Sequence, residues 1–170
     1  MFKFLFPDFH FKSIHDVPLS FYKENNIKGV LFDIDNTLEP YSTRIPSERT
    51  VKLFADLIEN GIKISVISNN HKERVSAFCA PLRVSYYYES GKPSAKNINN
   101  AIEEMGLDRS EVVIVGDQLF TDIWASSNAK IRGIFVDKIN NSESFFIRLK
   151  RILEIPFTIR IKRKGYGRIK

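Results

Sequence analysis

Lys28-Gly29-Val30-Leu31-Phe32-Asp33-Ile34-Asp35-Asn36-Thr37-Leu38 reads as a strand that stops on two acids. Val30-Leu31-Phe32 is a short apolar run of the kind that forms a strand buried on both faces. Asp33 and Asp35 follow at i and i+2. In extended backbone such residues point the same way, so both carboxylates can face one spot just past the strand end. Two carboxylates that close repel, and one keeps its proton unless a cation joins them. An acid and a carboxylate over a bound metal is the equipment for moving a phosphoryl group. Taken alone, the stretch reads equally well as a strand entering an Asx-rich turn.

Working outward, strands alternate with helices. After a loop from Pro40 to Pro46, Ser47 is placed to cap a helix whose stripe is Val51, Phe54, Ala55 and Ile58 and whose end is Gly61. A strand over Ile62–Ile67 leads to Ser68-Asn69-Asn70, and a short helix over Lys72–Ala80 stops at Pro81. Val84–Tyr88 is a further strand, with Tyr86 and Tyr88 on its buried face. Gly91-Lys92-Pro93 opens a helix capped at Ser94 and closed by Gly106. Glu111–Val115 is a buried strand ending in Gly116-Asp117-Gln118-Leu119-Phe120-Thr121-Asp122, and a helix over Thr121–Asn128 and a strand over Gly133–Val136 complete the series. This order predicts an α/β fold, a three-layer Rossmann-like parallel sheet with helices on both faces.

Open parallel sheets bind ligands at the carboxyl ends of their strands. Asp33, Asp35, Ser68, Asn69, Lys92, Asp117 and Asp122 all fall at strand ends or helix starts. Asp33 is the natural in-line nucleophile on phosphorus, giving an aspartyl phosphate. Asp35 can protonate the leaving alkoxide and then deprotonate the attacking water. Mg2+, a hard cation, suits Asp33, Asp117 and the backbone carbonyl of Asp35. Asp122 stands behind the metal or orients Lys92. Ser68 and Lys92 hold the non-bridging phosphate oxygens, with Asn69 beside them. The Thr37 hydroxyl fixes the turn that aims Asp33 and joins the phosphate-binding set.

In order and spacing, Asp33-Ile34-Asp35-Asn36-Thr37, Ser68, Lys92-Pro93 and Gly116–Asp122 resemble the four motifs of the haloacid dehalogenase (HAD) phosphohydrolase superfamily. The resemblance covers Gly29 to Val136, and is narrower still to the YqeG-like, subclass IIIA members. It implies a phosphatase, since the dehalogenases of that family lack the second acid. Its eukaryotic relatives include a mitochondrial phosphatidylglycerophosphate phosphatase. Between the motifs there is no room for a cap domain. The site is therefore expected to be open, and an open site suits a phosphorylated substrate carried on something large.

The chain has 170 residues and a single cysteine, Cys79. That excludes an intramolecular disulfide and fits a reducing compartment. Cys79 reads as a small buried residue rather than a nucleophile, and no histidine–cysteine pair has zinc spacing. The apolar start, Met1–Phe6, is cut off by Pro7-Asp8 far below a membrane span. The expected location is cytoplasmic, with peripheral contact at the inner face of the membrane. The net charge of +6 belongs to the tail. Nine basic residues against Glu154 give 148–170 a charge of +8 and leave 1–147 at −2.

Three segments follow: an aromatic lead packing on the core (1–27), the phosphatase core (28–138), and a basic amphipathic helix with a C-terminal tail (139–170). In that helix Phe145, Phe146, Leu149, Ile152 and Leu153 form the apolar stripe, and past Pro156 apolar Phe157, Ile159 and Ile161 alternate with polar residues. Such a tail attracts anionic membrane or RNA alike. The functional expectation is a Mg2+-dependent phosphatase acting on phosphatidylglycerophosphate. Rivals are a phosphatase of nucleotide or nucleic-acid ends or of sugar phosphates, and an RNA- or ribosome-associated protein with a retained site. His71 reads as a solvated helix-start residue, His10 and His15 have no partner in view, Trp124 reads as core, and Arg44 is a candidate substrate-facing cation.

Overall fold

The apolar runs become six strands: β1 (Phe9–Phe11), β2 (Gly29–Phe32), β3 (Lys63–Ile67), β4 (Ser85–Tyr87), β5 (Val112–Gly116) and β6 (Arg132–Val136). They form one sheet in the order β1-β6-β5-β2-β3-β4, and every pairing is parallel. The structure is a computed structural model and describes residues 2–139 and 145–164. Six helices join the strands: α1 (Leu19–Glu24), α2 (Glu48–Glu59), α3 (Lys72–Cys79), α4 (Lys96–Met105), α5 (Trp124–Ala129) and α6 (Phe145–Lys164).

Period-two alternation in the strands divides the core into two layers. Val30, Phe32, Val113 and Val115 face one side and pack with Phe54 and Leu57 of α2 and Val75 and Phe78 of α3. Leu31, Val112 and Ile114 face the other side, against Ile98, Ala101 and Ile102 of α4 and Ala125 and Ala129 of α5. The two central strands are thus buried on both faces, which is why they read as unbroken apolar runs. Phe54 stacks on Phe32 with ring centroids 5.1 Å apart. Truncating Phe54 to alanine should cost about 3–5 kcal/mol.

Ser47 caps α2 as expected, accepting from the Thr50 amide at 3.4 Å. Gly106, in left-handed backbone at φ 61°, closes α4. Both segments between the motifs hold only core elements, so no cap domain is inserted.

Four local expectations change. Helix α4 starts at Lys96 with Ala95 at its cap, and Ser94 merely accepts from the Lys96 amide at 3.3 Å. Tyr86 and Tyr88 are exposed, while Tyr87 turns inward against the α4 side. β4 is an edge strand, and its alternation runs opposite to the expected phase. The aromatic N-terminal segment buries Leu5, Phe21 and Tyr22, and it also supplies the edge strand β1, paired to β6. His10 on that strand finds Asp137 at 3.0 Å.

At the other end α6 runs straight through Pro156. Phe157 and Ile161, one turn apart, pack with Leu5, Leu119 and Ile123, whereas Ile159 is exposed. Helical spacing, not alternation, therefore sorts this segment. The Phe145, Phe146 and Leu149 part of the predicted stripe, its basic neighbours Arg148, Lys150 and Arg151, and residues 165–170 lie outside the described side chains. Among the described residues no helix is long and apolar enough to cross a membrane.

Candidate active site

β2 is central, and its carboxyl end meets those of β3 and β5. Past Phe32 the chain breaks at Ile34, whose carbonyl accepts from the amides of Thr37, Leu38 and Glu39 at 2.9–3.2 Å. Asn36 takes left-handed backbone at φ 63°, which asparagine tolerates better than most residues. This turn leaves Asp33 at the strand end, with its amide bonded to the Val115 carbonyl at 3.0 Å.

Asp33 is 6 % exposed, Asp122 1 % and Asp117 0 %. One carboxylate oxygen from each lies within 4.8 Å of the others. Among them sits the ammonium of Lys92, also buried, 2.6 Å from Asp33 Oδ1 and 2.6 Å from Asp122 Oδ1. Asp122 reaches this position because Gly116 has no side chain: a Cβ there would stand 2.2 Å from the Asp122 carboxyl carbon. A wide helical turn over Leu119–Ile123 precedes α5 and carries Asp122, whose Oδ2 accepts from the Gln118 amide at 3.1 Å. Thr37 Oγ1 donates to Asp117 Oδ1 at 3.3 Å, so this buried hydroxyl ties the turn after Asp33 to Asp117.

Asn69 braces Lys92. Its side-chain oxygen accepts from the Lys92 amide at 2.8 Å and from the Ser90 hydroxyl at 2.9 Å, and its amide donates to the Lys92 carbonyl at 3.0 Å. Ser68 Oγ accepts from the Asn70 amide at 3.1 Å. Asp33, Asp35, Ser68 and Lys92 line one open cavity of about 290 Å³. Tyr41, Asn70, His71 and Gln118 line it as well, and none of these four was singled out as a site residue from sequence.

Burial pushes the Asp33 carboxyl well up, and Asp122, Asp117 and Asp35 add to that against the pull of Lys92. Burial alone would lower the Lys92 ammonium, but Asp122 and Asp33 overcome it and raise it. Asp33, Asp117 and Asp122 thus bring three buried carboxyl groups together, with Lys92 bonded to two of them. An all-oxygen donor set of that kind fits a hard divalent cation.

Asp35 points elsewhere. Its Oδ1 accepts from Arg74 Nη2 at 3.0 Å and its Oδ2 from Asn70 Nδ2 at 3.0 Å. Arg44, the candidate substrate-facing cation, is not among the residues lining this cavity, and its backbone carbonyl accepts from Arg74 Nη1 at 3.1 Å. His71 is exposed and paired with Glu89 at 3.1 Å. Trp124 packs on Phe4 with centroids 5.1 Å apart. Cys79 is buried and its thiol is pushed up to about 12 by desolvation, which suits a packing residue.

A haloacid dehalogenase-like hydrolase family model matches residues 39–130, more than half the chain. The chain belongs to this family. Within it, this hydrolase sides with the YqeG-like phosphatases. It is 34 % identical over 96 % of its length to "Probable phosphatase YqeG" of Bacillus subtilis, covering 95 % of that protein. It is 29 % identical to phosphatidylglycerophosphate phosphatase 1 of Arabidopsis thaliana, again over 96 % of its own length but 50 % of that protein. Solved structures share the fold. A cobalt-bound deoxy-D-mannose-octulosonate 8-phosphate phosphatase from Haemophilus influenzae aligns at TM-score 0.53 and 12 % identity, over 78 % of this chain and 90 % of that one. CbbY from Rhodobacter sphaeroides, in complex with phosphate, aligns at 0.51 and 17 % identity, over 70 % and 90 %.

Proposed function

We propose that this hydrolase cleaves a phosphomonoester through an aspartyl phosphate on Asp33, with Asp35 as the acid and base. The observation that carries this reading is the contrast within one cavity: Asp33 sits in the buried acid cluster under Lys92, while Asp35 stands apart from it. The Asp33 carboxylate attacks phosphorus, the ester oxygen departs with the bonding electrons, and Asp35 gives it a proton. Water then attacks the acyl phosphate. Asp35 takes its proton, and Asp33 and inorganic phosphate are released. Lys92 and Ser68 hold non-bridging oxygens as charge moves onto them. Asp33, Asp117 and Asp122, with the Asp35 carbonyl, would hold Mg2+. When bound, the ion screens the phosphate charge from the acids and polarises the phosphoryl oxygen.

The proposed substrate is lipid-borne, with phosphatidylglycerophosphate the first choice. A groove of about 690 Å³ starts at Asp117 and is walled by Phe135 and by Ile152, Ile155 and Ile159 of α6; Lys12, Lys138 and Lys162 lie on it beside Asp137 and Glu154, with Lys162 paired to Asp137 at 2.9 Å. Exposed apolar side chains beside cations suit an anionic amphiphile, and the Arabidopsis relative is named for that substrate. The same surface would let the enzyme work peripherally on an anionic membrane.

The test is phosphate release from phosphatidylglycerophosphate, nucleoside monophosphates, 5′-phosphorylated RNA and sugar phosphates, with Mg2+ or EDTA, for the wild type and Asp33→Asn. Mg2+-dependent release from the lipid, lost in Asp33→Asn, is expected. Activity surviving in Asp33→Asn would sink the mechanism. Release from soluble esters alone would remove the lipid and keep the chemistry.

A further inference from the structure

The clamp on Asp35 is built from α3, outside the acid cluster. Arg74 is only 14 % exposed at its side chain, and Asp35 16 %. Its guanidinium lies 5.5 Å over the ring of Phe78, which is itself fully buried. Nη2 donates to Asp35 Oδ1, Nη1 to the Arg44 carbonyl, and Nε is buried with no hydrogen-bond partner.

That last feature sets the pair apart from an ordinary ion pair. Arginine usually grips a carboxylate with two parallel N–H groups. Here it spends a single N–H on one oxygen, gives another to a loop carbonyl, and leaves Nε bare at the usual cost of a buried donor. The single contact leaves Oδ2 to Asn70. A carboxylate oxygen has two lone-pair sites, so Oδ2 keeps one for a proton in transit. The Arg44 carbonyl belongs to the loop Pro40–Pro46, which also presents Tyr41 to the cavity. Arg74 therefore ties the carboxylate to helix α3 and to the wall of the cavity at once.

We propose that Arg74 is a positioning residue for proton transfer: by fixing Oδ1 of Asp35 it aims the second oxygen at the departing ester oxygen. This rests on the reading of Asp35 as acid and base. It predicts a defect that depends on the leaving group. p-Nitrophenolate leaves as a stable anion, whereas the alkoxide of glycerol 3-phosphate needs its proton, and a positioned acid contributes on the order of 10²–10⁴-fold to such a step.

The experiment compares kcat/KM on these two esters, with Mg2+, for the wild type, Asp35→Asn, Arg74→Met and Arg74→Lys. Taking the ratio of the two rates on each preparation removes any dependence on the folded fraction. Asp35→Asn should lower the glycerol phosphate rate far more than the aryl rate. Arg74→Met should shift the ratio the same way, by about 30-fold, with Arg74→Lys between it and the wild type. Equal losses on both esters in Arg74→Met, beside a selective loss in Asp35→Asn, overturn the role of Arg74 and leave Asp35 in place. Equal losses in Asp35→Asn remove the acid–base reading and this inference with it.

Discussion

Asp33 and Asp35 are two residues apart, yet they stand in different regions of one cavity. Asp33 belongs to a floor made by β2, β5 and the loop carrying Lys92, where Asp117 and Asp122 are buried and their carboxyl oxygens crowd together. Asp35 belongs to a wall made by the Ser68–Asn70 turn and α3, where its mostly buried carboxylate is met by one arginine and one amide. The floor gathers buried carboxyl oxygens and fits a cation. The wall is already neutralised and offers a carboxylate that needs none. A buried group facing like charges and an aimed, paired group suit different tasks, and two such environments are what separates a nucleophile from an acid–base.

The largest break comes from the floor. Asp33→Asn keeps the shape and removes the attacking oxygen's charge, so kcat should fall by on the order of 10⁴-fold or more. Lys92→Met comes next. It removes one partner from a buried ion cluster, and activity should fall by about 10³-fold, near the upper end for a single charge-stabilising group. Its thermal stability should drop in EDTA and recover in part with Mg2+, since a second cation can answer the same acids. A Lys92→Met protein as stable in EDTA as the wild type would mean that Lys92 is not what holds these buried acids together.

Gly116→Ala sharpens the comparison without touching a charge. The new Cβ meets Asp122 at 2.2 Å and must push that carboxylate aside, and the three atoms nearest to it all belong to Asp122. A displacement near 1 Å at a reacting centre costs about 10²-fold, so activity should fall that far. The leaving-group ratio that reports on Asp35 should stay at its wild-type value. A shifted ratio would mean that floor and wall are not independent.

The acids and lysine of the floor were legible in the sequence, as were Asp35 and Ser68 of the wall, but Arg74 was not. Asp33, Lys92, Asp117 and Asp122 lie at strand ends and helix starts, and the parallel sheet puts those together whatever the loops do. Arg74 is in the first turn of α3, on a helix whose inward face reads as Val75, Phe78 and Cys79. Nothing in its spacing says that an arginine one residue from Val75 folds back to Asp35. Asn69 and Thr37 were found, but their bonds to the Lys92 amide and to Asp117 were not, since a side-chain amide or hydroxyl at a strand end reads the same whether it meets phosphate or a neighbour. The β1 strand hid among phenylalanines with no clean apolar run, and α6 hid behind Pro156 and a three-residue alternation that only a helix could resolve.

The smallest effect tests the charge of the floor through stability. In the absence of a cation the folded Asp33 carboxyl is raised, chiefly by burial and then by Asp122, Asp117 and Asp35. The native state then holds a proton that the unfolded chain releases, so the unfolded state binds fewer protons and stability falls as pH rises above the unfolded carboxylate range. Melting in EDTA should therefore drop as pH climbs from 5 toward 8. With saturating Mg2+ the acids have a counter-charge, the native proton is displaced, and added stability grows with pH because a cation competes with that proton. The difference between the two melting curves should widen with pH, and in Asp33→Asn the widening should shrink. A gap of constant width in the wild type would place the cation away from Asp33, and the contrast between floor and wall would then rest on the hydrogen bonds of Asp35 alone.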